Sequence, residues 1–194
     1  MKIKGESGVH MNEELITRIV QSVIAEVMPD YSLKEERFQT SDSCILQANL
    51  QYAGGVKMTL QLAVALIEKV EEKAQSMNVP VVVAVSDAAG RPVAIHCMDD
   101  AYMGSFDVAL NKTFTSAGFK MSTEQLGQLS QPGKSLYGIQ FTNGGKVVIF
   151  GGGEPLMADG TMIGAIGVSG GNAKQDTQLA AYGSSILREV IKCL

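Results

Sequence analysis

The sequence predicts an α+β fold: an antiparallel β-sheet with helices packed on both faces. Three observations carry that prediction. Apolar residues switch between helical and strand periodicity in the order helix, hairpin, helix, hairpin, helix. Turn-forming strings separate the paired strands, so no parallel βαβ unit is required. The 194 residues, 45% of them hydrophobic, match one domain with a short appendage rather than a disordered chain.

Residues 1–10 show no periodicity and read as a disordered leader or tag, with Met11 an alternative start. From Met11 to Met28 the pattern changes. Leu15, Ile16, Ile19, Val20, Val23, Ile24 and Val27 recur at the three-and-four spacing of an amphipathic helix. Asn12 suits its N-cap, Glu13 and Glu14 suit its first turn, and Pro29 ends it. Residues 30–55 read as a polar linker plus an extra strand, in which Leu46, Ala48, Leu50 and Tyr52 alternate with polar residues.

Residues 56–194 form the main domain. Thr59 caps a helix with Ala63, Leu66, Ile67, Val70, Ala74 and Met77 on one face, stopped by Asn78 and Pro80. Val81–Ser86 is a short apolar strand. Asp87–Gly90 turns it, and Arg91–Cys97 returns as its hairpin partner. Ser105 to Phe119 reads as a helix with Ala109, Leu110, Thr113 and Ala117 inward, and Ser122–Gln125 matches a capping box. Lys146–Phe150 and Met162–Val168 read as strands flanking a turn over Gly151–Gly160. The last helix, from Ala173, carries Leu179, Gly183, Ile186, Leu187, Val190, Ile191 and Leu194.

Composition excludes several functions. A net charge of −4 and the lack of a Lys/Arg run argue against a nucleic-acid surface. No stretch approaches a membrane span or the apolar core of a signal peptide. Three widely spaced cysteines form no disulfide framework, which predicts a reducing cytoplasm as the setting. With only His10 and His96, a zinc site or a hydrolytic triad would rest almost wholly on His96.

The candidate chemistry lies in a few strings. Gly127–Ser135 misses the phosphate-loop spacing and follows a helix rather than a strand. Gly151-Gly152-Gly153 reads either as a tight connection or as a pocket wall of backbone amides, and Ser169-Gly170-Gly171-Asn172 turns into the last helix. His96-Cys97-Met98-Asp99-Asp100 is the densest cluster. Histidine, cysteinate and methionine are all haem ligands, but strand alternation lets only His96 and Met98 share a side. Glu68, Glu71 and Glu72 read as a solvated helix face, and Lys112 as either a surface lysine or one facing a pocket.

Together VAVSDAAGRPVAIHCMDDA, ALNKTFTSAGF, QPGKSLYGI, VVIFGGGEPL and IGAIGVSGGNAKQD resemble the GlcG/HbpS haem-binding family, most of all the C-terminal domain of PduO. The resemblance implies PAS/profilin-like layering, a homo-oligomer and a tetrapyrrole cofactor, haem first and a corrinoid second. Its motif positions here are Asp87, Gly90, Met98, Asp99, Lys112, Gly151–Gly153, Pro155, Gly164, Gly167, Ser169–Gly171, Gln175 and Asp176. The expected cofactor-binding residues are His96, Met98, Lys112, Gly151, Gly152, Gly153 and Ser169, with His96 the iron ligand. Residues 11–28 resemble the encapsulation peptides of bacterial microcompartment cargo, implying shell or cargo proteins as partners and the compartment lumen as location. The alternatives are an enzyme acting on a small metabolite with Lys112, Asp99 and Ser169, and a structural oligomer without ligand.

Overall fold

The computed structural model describes residues 55–194. The helix expected over 11–29 and nearly all of the 30–55 segment lie outside the described residues. Helix α1 (Leu60–Ser76) begins where the Thr59 hydroxyl accepts the Leu62 amide at 3.1 Å, and it stops at Asn78, whose left-handed φ of 59° turns the chain. Strands β1 (Val82–Asp87) and β2 (Pro92–Cys97) form the first hairpin. Helices α2 (Ser105–Phe119) and α3 (Thr123–Leu129) follow, the latter opened by a full capping box between Ser122 and Gln125. Strands β3 (Gly153–Ala158) and β4 (Thr161–Ser169) form the second hairpin. Helix α4 (Ala173–Cys193) starts from an Asn172–Gln175 capping box.

Among the described residues the four strands form one antiparallel sheet in the order β2-β1-β4-β3. Strand alternation divides the core. Val83 and Val85 join Leu62, Leu66, Ile67, Leu179 and Leu187 under α1 and α4. Val82 and Ala84 face the other way, onto Ala109 of α2. Helices therefore cover both faces, as predicted.

Two expectations need correcting. Lys146–Phe150 is not a strand, and the triple glycine is not part of a long turn. Gly153 begins β3, and the hairpin turns on Asp159-Gly160 alone, both left-handed at φ 47° and 77°. The run VVIF has strand propensity, yet Val148 donates its amide to the Thr115 hydroxyl at 3.0 Å instead of to a neighbouring strand. The buried face of α2 is also more polar than expected. Lys112, Thr113, Thr115 and Ser116 are buried beside Ala109 and Ala117, whereas Leu110 is only half-buried.

That polar face lies unusually close to the sheet. Gly153, Gly167 and Ala84 form one row across β3, β4 and β1. A Cβ on Gly167 would overlap the Ala109 carbonyl oxygen, and one on Gly153 would lie 2.8 Å from the Ser116 hydroxyl. The backbone of α2 thus rests directly on the strand backbone.

The layers are fastened by one ion pair. Lys112 Nζ donates to Asp176 Oδ2 at 2.8 Å and to the Val168 carbonyl at 2.7 Å, with side-chain exposures of 0% and 5% for the two charged residues. Asp176 Oδ1 accepts the Gly171 amide at 2.9 Å, and the Phe150 ring centre lies 5.1 Å from Nζ. Gly152, at φ +111°, passes so near that a Cβ there would sit 2.5 Å from Nζ. Burial pushes the Lys112 ammonium below the ordinary lysine range; the charge and hydrogen bond of Asp176 act against that without cancelling it.

Three outcomes follow for stability. Lys112→Ala strands a buried carboxylate and should cost about 3–5 kcal/mol in chemical denaturation, whereas K112M/D176L, which removes both charges, should recover most of that loss. Gly167→Ala should cost about 1–3 kcal/mol by overpacking. The third concerns acid. Partial burial raises the Asp87 pKa, but hydrogen bonds from the Arg91 and Ala89 amides and the Arg91 guanidinium together hold it below 3.8. Its contribution is therefore present above that value and lost as pH falls through the lower folded one. Asp87→Asn should flatten the acid limb of a stability–pH curve.

Candidate functional site

β2 lies at the edge of the sheet, and His96 is its penultimate residue. Opposite Val83 in the register, His96 faces α1. Its Nδ1 lies 3.3 Å from each oxygen of the Glu71 carboxylate, with side-chain exposures of 35% and 20% for the two residues. An ionised carboxylate only accepts, so Nδ1 is the donor in this contact, and in the neutral ring Nε2 then keeps its lone pair. Among the described residues Nε2 has no hydrogen-bond partner.

Met98 continues from the same edge. Its amide donates to the Val81 carbonyl at 3.1 Å, and its side chain packs half-buried against the α1–α4 core. Cys97 between them pairs with Val82 on the opposite face and is exposed. A cleft of about 280 Å³ beside this corner is lined by Gln75, Asn78, Val79, Met98, Asp99 and Asp100, and does not include His96. The imidazole is thus a surface group on a rigid strand, not one enclosed by its own domain.

The other expected site residues gather elsewhere. Ser169 pairs with Val82, on the α2 side of β4, and Lys112 lies on α2 itself. β1 separates β4 from the strand that bears His96. Gly151 abuts Thr177, Gly152 abuts Lys112 and Gly153 abuts Ser116, so a side chain on any of them would displace packed atoms. Two of their polar backbone groups are engaged inside the fold: the Gly153 amide donates to the Thr123 hydroxyl at 2.9 Å, and the Gly152 carbonyl accepts from Val168 at 2.7 Å. The seven expected residues therefore form two groups, His96 with Met98 at the β2 edge and Lys112, Gly151–Gly153 and Ser169 around the buried ion pair.

In the sequence nothing in residue type separates Glu71 from Glu68 and Glu72. A signal existed: it lies four residues after buried Ile67 and one after buried Val70, at the flank of the apolar stripe. Glu72, by contrast, is exposed and pairs with Lys69 at 2.9 Å. Among the described residues there is no group of three or more His, Cys, Asp or Glu side chains placed to hold a metal ion on its own. Iron held here would need ligands from a macrocycle or a second chain.

Comparisons with known proteins identify the family and the fold. A 15.0 kDa protein encoded in the dhaT-dhaS intergenic region of Citrobacter freundii is 46% identical over 123 residues, 63% of this chain and 87% of that one. The corrinoid adenosyltransferase PduO of Salmonella typhimurium is 43% identical over 56% of this chain but only 32% of its own length. Among solved structures, protein ORFY of Klebsiella pneumoniae matches with a TM-score of 0.67 at 39% identity, covering 71% of this chain and 96% of that one. PduOC in complex with haem matches with a TM-score of 0.64 at 38% identity, covering 67% and 94%. The family model described as haem degrading protein HbpS-like matches residues 58–185, and the chain belongs to that family.

Proposed function

We propose that this chain is a haem-binding accessory protein in which His96 ligates the iron through Nε2. The observation that carries the reading is a half-exposed imidazole on a sheet edge with Nδ1 engaged by a carboxylate and Nε2 unpartnered. Metal-bound histidines characteristically have this arrangement. Similarity to a protein crystallised with haem supports it. Haem held here would supply an iron centre whose potential would depend on its protein ligand and that ligand's hydrogen bonds. The chain's own residues do the rest. Strand pairing fixes the His96 backbone, and Met98 offers a thioether and apolar surface on the same corner. Asp99 and Asp100 keep the neighbouring cleft polar.

His96 is open to solvent, so the reading includes a homo-oligomer in which a second copy covers the macrocycle. The exposed Tyr102 (72%), Met103 (94%) and Phe141 (82%) supply apolar surface for such contacts. Residues 11–28 address the protein to a microcompartment by binding shell or cargo proteins. The pairing of that amphipathic segment with a PduO-like domain supports this. An enzyme using Lys112 is disfavoured, because its ammonium is fully buried and paired with Asp176.

Haem titration of the full chain tests the ligation. The wild type should show a shifted Soret band, and His96→Ala should lose the shift or at least tenfold in affinity. An unchanged band in His96→Ala would remove the iron from His96. No haem binding alongside saturable corrinoid binding would move the reading to the second tetrapyrrole. For targeting, deleting residues 11–28 should abolish co-localisation with shell proteins; unchanged localisation refutes it.

A further inference from the structure

We infer that Glu71 is a positioning residue for the iron ligand: from α1 it holds the His96 ring in the tautomer and orientation that present Nε2 outward. The inference rests on the haem reading for its function, but not for its geometry. An imidazole on an exposed strand edge is free to rotate about its side-chain bonds and to exchange tautomers in water. Here both carboxylate oxygens stand 3.3 Å from Nδ1, so that nitrogen is fixed toward α1.

Both ends of the contact are anchored. Glu71 follows Val70, which is fully buried in the core, and Ala74 one turn later is buried as well. His96 is held by pairing with Val83, the second residue of the interior strand β1. The neighbouring glutamates do not share the role. Glu72 is engaged by Lys69, and Glu68 lines the cleft between α1 and α4.

The chemistry follows from the acceptor's charge. A carboxylate at Nδ1 makes Nε2 a stronger donor of electron density to a metal, which favours the ferric over the ferrous state. Glutamine keeps an acceptor oxygen at the same reach and loses the charge. Leucine loses both. The two variants therefore separate orientation from electronics.

The first test needs no haem. Nitrogen-15 NMR of the apo full-length protein, at a pH where the ring is neutral, should show His96 with its proton on Nδ1 in the wild type and in Glu71→Gln. Glu71→Leu should show a tautomer mixture. A wild-type ring protonated on Nε2 overturns the inference, whether or not haem binds. The second test uses the haem-loaded protein. Glu71→Gln should raise the ferric/ferrous midpoint potential, and Glu71→Leu should bind haem about 10–100-fold more weakly at unchanged thermal stability. Wild-type potential in Glu71→Gln together with wild-type affinity in Glu71→Leu overturns the positioning role. Absence of haem binding in the wild type overturns the proposed function instead and leaves the tautomer result to decide the geometry.

Discussion

The ion pair between Lys112 and Asp176 is the constraint on which the architecture depends. It joins α2 on one face of the sheet to the first turn of α4, the helix that covers the other. An ammonium cannot be buried alone in a protein interior without a penalty of several kcal/mol. Lys112 is tolerated because a carboxylate, a strand carbonyl and an aromatic face surround it. Each of those partners requires something of the backbone. Asp176 must lie at the start of α4, where the Gly171 amide holds its second oxygen. Val168 must turn its carbonyl toward α2. Residue 152 must have no side chain.

With the interior closed this way, ligand chemistry is left to the periphery. The two sheet edges are not equivalent. β3 carries Pro155 in mid-strand, where it has no amide hydrogen to offer, whereas β2 has its proline, Pro92, only as its first residue and presents His96 near its other end. The scaffold therefore supplies a rigid edge with one ionisable ring, braced from α1 by Glu71. Under the proposed ligation that rigidity is useful, because a metal ligand must be held within about half an ångström of its working position. A second chain can complete such a site without disturbing either core layer.

What the sequence revealed depended on how local the determining interactions were. Two helices of 55–194 were legible from start signals three residues apart, Thr59 with Leu62 and Ser122 with Gln125, whereas α2 has no side-chain cap and was legible from its spacing alone. The first hairpin was legible for the same reason, since Asp87 ties its own turn together. β3 was not. Gly-Glu-Pro is a poor strand by propensity, and only pairing with β4 and close packing under α2 make it one. His96 stood out by scarcity alone, because the chain has only two histidines. Its partner did not, since Glu71 lies 25 residues away and resembles its exposed neighbours. Lys112 was visible as a candidate, but the carboxylate that explains it is 64 residues further on.

These separations also explain why the glycine-rich strings identify the fold better than the ligand. Gly151, Gly152, Gly153 and Gly167 each abut a specific internal atom, on Thr177, Lys112, Ser116 and Ala109 respectively. Together with Asp176 they specify how closely α2 approaches the sheet and how the buried charge is neutralised. None of them touches His96 or Glu71. A chain could keep every one of those positions, and so the whole three-layer scaffold, while changing residue 96 or 71 on the half-exposed edge at little cost in stability. Family membership and ligand identity are thus written in different residues. The first follows from the packing beneath α2, and the second has to be argued from the imidazole and the carboxylate that meet between β2 and α1.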